Sequence, residues 1–177
     1  MLVEAAEDVL AFWFAPAQER RWYAKDVEFD AEIRRRFLAT YEAACEGALD
    51  SWRETPRSLL ALIVVLDQLP RNMFRGSARA FAEDPQAVKL ARHGIAGGFD
   101  RALTASEREF FHMPLMHSER LDDHELLLGV HGDNKYAREH RDIIARFGRY
   151  PHRNAVLGRR NTAEEEQYLR ESPPSFW

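Results

Sequence analysis

The sequence predicts an all-α fold without a sheet, and three observations carry that expectation. Alternation of apolar and polar residues with period two is nearly absent, whereas apolar residues recur at helical spacing along most of the chain. Helix start signals recur: Thr55-Pro56, Asp84-Pro85, and the capping boxes Thr104-Ala-Ser-Glu107 and Thr162-Ala-Glu-Glu165. One segment, Leu59 to Leu66, is apolar on every side, as a helix surrounded by other helices must be. Seven or eight helices with short connectors imply antiparallel neighbours in an α-α layered or superhelical arrangement.

The elements follow in order. Glu4 to Phe14 reads as a first helix, ended by Pro16. Glu28 to Gly47 reads as a long amphipathic helix with Phe29, Ile33, Phe37, Tyr41 and Ala44 inward and Arg34-Arg35-Arg36 outward. Pro56 opens the central helix, which is expected to stop at Pro70 because proline lacks the N–H a helix needs. Asp84-Pro85, with Asp84 as the cap, opens a helix that closes at Gly97-Gly98. Thr104 opens the next, which Pro114 is expected to disturb. Glu119 to Val130 and Lys135 to Phe147 are two more, and a short helix runs from Thr162 to about Arg170. The tail Ser172 to Trp177 is expected to pack by Phe176 and Trp177. No linker divides the chain, so residues 1–177 are expected to form one domain.

Composition excludes several classes. Hydrophobic residues make up 45% and charged residues 31%, which is globular rather than disordered. A net charge of −4 argues against a nucleic-acid partner, since phosphate tracking needs a basic surface. The longest apolar run falls far short of the roughly 20 residues a bilayer requires, and Met1-Leu2-Val3-Glu4 lacks a basic leader. A cytoplasmic protein without membrane attachment is expected. Cys45, alone, cannot form an internal disulfide, and its helical position suggests a small buried apolar group.

Three blocks could carry chemistry. The first is Asp67-Gln68-Leu69-Pro70-Arg71-Asn72-Met73-Phe74-Arg75-Gly76. Its arginines either cap the free carbonyls of the preceding helix or pair with Asp67, or else, with Asp67 and Asn72, face a ligand. The second runs from Arg146 through Arg149, Tyr150, Pro151, His152, Arg153 and Asn154 to Arg159. Guanidinium forks grip carboxylates and phosphates at two points, so this cluster suits an anionic small molecule or an acidic peptide. The alternative is a set of pins between an ordered loop and acidic helices. The third is Phe111-His112-Met113-Pro114-Leu115-Met116-His117-Ser118-Glu119. His112 and His117 lie five apart, which places them on different helix faces and argues against a metal site. His117 and Glu119 then form either a pocket wall or the cap of the next helix. His117, His124 and His131 recur every seven residues, but neighbours two turns apart are about 10 Å distant and cannot share an ion.

Motifs of nucleophilic catalysis and of phosphate or dinucleotide loops are absent, and no cofactor is expected. A carboxylate–histidine pair drawn from Asp67 or Glu119 with His117 or His152 is the remaining acid–base option.

These blocks together resemble the bacterial "domain of unknown function 924" family. The residues that carry the resemblance are Val9 to Phe14, Trp22, Asp67 to Gly76, Ala80 to Asp84, Pro114 to Glu119, and His140 through Asn154. Leu69 departs from the Phe more usual there. The resemblance implies an all-helical, tetratricopeptide-like α-α superhelix and no known activity. The residues expected to meet a ligand are Asp67, Arg71, Asn72, Arg75, His117, Glu119, Arg149, His152, Arg153 and Asn154. A small-molecule hydrolase or transferase, and a protein-interaction scaffold, are the rival expectations. The sequence leaves the oligomeric state open.

Overall fold

The computed structural model describes residues 2–132 and 134–171. Among these there is no strand. The helices are α1 (Ala6–Trp13), α2 (Val27–Cys45), α3 (Pro56–Ile63), α4 (Leu69–Met73), α5 (Asp84–Ala96), α6 (Ala105–His117), α7 (Leu121–His131), α8 (Lys135–Phe147) and α9 (Ala163–Glu171). A π-helical turn, Val64–Gln68, joins α3 to α4 without a break, so the two form one rod. Short 3₁₀ turns occupy several connectors, among them Ala78–Phe81 and Pro151–Arg153.

The caps do what the sequence asks of them. The Thr55 hydroxyl accepts from the Ser58 N–H, and Thr104 and Glu107 form a reciprocal capping box. Thr162 and Glu165 do the same for α9. Gly148 ends α8 in the left-handed conformation, φ +67°.

The α3–π–α4 rod is the centre of the fold. Leu59 through Gln68 are all buried. α1 and α5 pack along α3, α2 along α4, and α6, α7 and α8 follow one another as sequential neighbours. Gly94 of α5 is a close-approach position: a Cβ there would sit 2.3 Å from Phe111 Cζ and 2.8 Å from Leu59 Cδ2. Aromatic side chains fill the α1–α2–α6 side. Trp13 meets Phe110 edge-on with centroids 5.6 Å apart, and the Trp22 indole N–H donates to the Trp13 carbonyl at 2.9 Å. Ile143, Ile144 and Tyr150 form a smaller cluster between α8 and α9.

Four expectations need correction. Pro70 does not stop the central helix, because the π turn absorbs it. The Leu69 N–H reaches back five residues to the Val64 carbonyl, and the chain resumes α geometry with proline in its first turn, where its missing N–H costs little. Pro114 likewise lies inside a continuous α6. Asp84 is not a cap: α5 is preceded by Glu83, and the Asp84 carboxylate is used elsewhere. Cys45 is exposed rather than buried. The expected packing of Phe176 and Trp177 lies outside the described residues.

Candidate functional site

The first block is organised by the π turn. It places Asp67, a fully buried residue, where its carboxylate meets three neighbours. His117 Nδ1 lies 2.8 Å from Oδ1 and 3.0 Å from Oδ2, the Gln68 amide donates to Oδ2, and Arg71 Nη1 lies 3.3 Å from Oδ1. Arg71 also donates to the Asp67 main-chain carbonyl. Burial by itself would raise the Asp67 pKa. The Arg71 charge, then His117 and Gln68, outweigh that, and the carboxyl sits below the usual carboxylate range. Burial, and then the Arg71 charge, push the His117 imidazole below its ordinary value. At neutral pH His117 is therefore neutral. Since a carboxylate only accepts, the proton lies on Nδ1 and the lone pair on Nε2. Of the four carboxylate–histidine pairs the sequence allowed, Asp67–His117 is formed.

Arg71 turns its other face to Asp84. Nη2 lies 2.9 Å from Oδ1 and 3.0 Å from Oδ2. The same carboxylate takes Arg153 Nη1 at 3.1 Å. Two guanidiniums thus share one carboxylate. Arg153 is only 4% exposed, and its guanidinium lies 4.6 Å from the ring centroids of both Phe81 and Tyr150. Among the described residues, neither Arg71 Nε nor Arg153 Nε has a hydrogen-bond acceptor. Burial lowers the Arg153 pKa, and Asp84, shared with Arg71, compensates only in part. Arg71, with Asp67 and Asp84 both beside it, is raised despite its burial.

Above this pair opens a cleft of about 560 Å³, between the chain from Arg71 to Phe81 and the chain from Pro151 to Asn161. Lys25, Arg71, Arg75 and Arg153 bring four cations to it, and His152 and Asn161 add polar groups. Ala80, Phe81, Pro151, Ala155, Val156 and Leu169 form apolar wall. Among the described residues no carboxylate lines it. Burial, then the Arg153 charge, hold the His152 pKa down at about 3, so its ring is neutral there.

The ten residues expected from the sequence therefore separate. Arg71, Arg75, His152 and Arg153 meet in the cleft. Asp67 and His117 stand behind Arg71. Asn72 donates to Asp30 at 2.8 Å, and the Arg75 fork also holds Asp30, at 2.7 and 2.9 Å. Glu119 accepts two bonds from Arg159 and one from the Tyr150 N–H. Arg149 grips Glu165 through two bonds, at 2.6 and 2.8 Å, and also reaches the Arg160 carbonyl. The Asn154 amide donates to Asn161 at 2.8 Å.

Sequence reasoning missed Lys25, Phe81, Asp84 and Asn161. Asp84 and Phe81 did carry a signal, since both fall in the stretch Ala80 to Asp84 that contributed to the family resemblance. Lys25 carried none.

A second histidine–carboxylate pair lies elsewhere. His112 Nε2 is 3.1 Å from Asp100 Oδ2, and its Nδ1 is 3.4 Å from His131 Nδ1. Among the described residues no group of three or more potential ligands could hold a metal ion. No helix among them is long and apolar enough to cross a membrane.

The family model described as bacterial protein of unknown function (DUF924) matches residues 9–173. The chain belongs to this family. A solved structure of a protein of unknown function from Agrobacterium tumefaciens is similar to this DUF924 chain at 41% identity, covering 94% of this chain and 97% of that one, with a TM-score of 0.89. No curated protein matches the chain.

Proposed function

We propose that this DUF924 protein binds an anionic small molecule in the cleft over Arg71 and Arg153. One observation carries the proposal: Arg153 is 4% exposed and, among the described residues, the one carboxylate it pairs with is shared with a second arginine. A buried guanidinium is costly unless its charge is matched, and an anion on its cleft side would match it. The absence of carboxylates from the described lining leaves that position to a ligand. The size lies in the range of small-molecule sites, roughly 300–1,000 Å³. That favours a small molecule over an acidic peptide, which a tetratricopeptide-like arrangement, as the resemblance implies, would otherwise suggest. The cytoplasm, where a lone cysteine such as Cys45 stays reduced, is the proposed location.

Thermal denaturation with added phosphate, citrate and simple carboxylates tests this. At a hundredfold excess over Kd an anion stabilises the native state by about 2.7 kcal/mol. The rise in midpoint should disappear in Arg153→Met and persist in Arg149→Ala. Equal loss in both variants would defeat the assignment.

A second reading, hydrolase or transferase chemistry, is favoured by the Asp67–His117 pair. A buried carboxylate that holds a neutral imidazole by its Nδ1 proton, with the lone pair on Nε2, is an arrangement a general base uses. The test is the His117 ring by NMR: its Nε2 should be the titrating nitrogen. A ring protonated on Nε2 at neutral pH would remove the base.

A further inference from the structure

We infer that the cleft is built for a monoanion with an apolar body, a carboxylic acid rather than a phosphate ester; this rests on the anion-binding reading above. Charge balance in the cleft favours a single negative group. Lys25, Arg71, Arg75 and Arg153 line the cleft. Three carboxylates pair with them: Asp30 with Arg75, Asp67 with Arg71, and Asp84 with Arg71 and Arg153. Among the described residues Lys25 makes no ion pair. Four cations against three carboxylates leave one positive charge over. His152, held neutral, adds nothing to that count. One negative charge completes the set, whereas a second would be partly desolvated with no cation of its own.

The apolar wall favours a ligand with an apolar body. An inorganic anion would satisfy the arginines and leave Pro151, Ala155, Val156 and Leu169 facing water. These residues line the same cleft from the connector after Tyr150 and from α9. Phe81 stands beside both arginines. Its ring lies 4.6 Å from the Arg153 guanidinium and 5.6 Å from that of Arg71. Arg153 gives Nη1 to Asp84 and its Nε is buried, so Nη2 is the nitrogen left to donate to a ligand oxygen. A carboxylate there, with Lys25 and Arg71 beside it, would lay its chain along the apolar wall.

Calorimetric titration of the full chain at pH 8 with octanoate, octyl phosphate, octanol and inorganic phosphate tests this. Phosphate esters carry close to two charges there, their second pKa being about 6. Octanoate is expected to bind tighter than octyl phosphate by about tenfold. Its affinity should rise about two- to fourfold for each methylene from butanoate to octanoate, the upper value being 0.8 kcal/mol per buried methylene. Lys25→Ala, an exposed change, should lower octanoate affinity without altering folding; Arg153→Met should abolish it. Tighter binding of octyl phosphate would overturn the single-charge inference and leave the anion site standing. Tight binding of inorganic phosphate with no gain along the carboxylate series would overturn the apolar body alone. Octanol binding as tightly as octanoate, or no binding of any probe, would overturn both this inference and the reading on which it rests.

Discussion

The two arginine-rich blocks look alike as strings of residues, yet their arginines do different work. In the first, both arginines line the cleft, and each is held from behind by acids: Arg71 by Asp67 and Asp84, Arg75 by Asp30. In the second, Arg146, Arg149 and Arg159 pin the connector to Glu164, Glu165 and Glu119, and Arg153 alone turns into the cleft. Partner arithmetic separates the roles. Each pin has a carboxylate of its own, as does Arg75 at the cleft, whereas Arg71 and Arg153 share Asp84.

The change that breaks this contrast most severely is Asp84→Asn. It leaves two buried guanidiniums without their common counter-charge and should cost about 3–5 kcal/mol in urea denaturation. A loss below about 1 kcal/mol, the size of a surface pair, would mean Asp84 is not the anchor.

Acid should act next. His112, His117, His124, His140 and His152 are all pushed below 6.5, each chiefly by burial. Their folded pKa values lie under the unfolded value, so the folded state favours neutral rings. The stability they contribute is whole above about pH 6.5 and is lost as pH falls through the lowered values. Glu165, held at about 2 chiefly by its hydrogen bond from Arg149, adds a further loss between about pH 4.5 and 2. The urea midpoint should therefore fall steadily below pH 6.5, and His152→Gln should flatten that slope. An unchanged slope would show His152 to titrate normally.

Arg149→Ala sharpens the contrast from the other side. It removes a two-point grip on a Glu165 carboxylate that is 2% exposed and should lower the urea midpoint, with anion affinity untouched. A drop in affinity would move the site toward the pins. The smallest effect on folding belongs to Arg75→Ala at the cleft rim. About 0.5 kcal/mol is expected, since its pair with Asp30 is partly solvated. Anion affinity should fall nonetheless, and titration would show it.

Helices were legible wherever chemistry is local. Thr104 and Glu107 announce a cap three residues apart, Gly148 announces a stop, and the apolar face of α2 repeats along its own turns. Pro70 misled because its local effect, a missing donor, was absorbed by a change of helix type that no short window announces. The cleft was half legible. Arginines in irregular segments are visible as such. That Arg71 and Arg153 converge on Asp84, one of them 69 positions away, is a product of packing α5 against the rod. Asp84 itself was hidden behind a good local explanation, since Asp before Pro is what a helix start looks like. Lys25 belongs to a short connector and meets the cleft only because α2 lies along α4.

The π turn at Val64–Gln68 also fixes a chain length. A π turn is an α-helix carrying one surplus residue. Removing one residue from the turn would restore ordinary winding and leave Leu69 onward on the same side of the rod. Arg71 and Arg75 would keep their faces, but the Pro70 ring would press on the carbonyl four residues before it. The surplus residue is therefore what lets a proline sit inside a continuous rod, and a one-residue deletion there should be tolerated better with Pro70→Ala than with the proline in place.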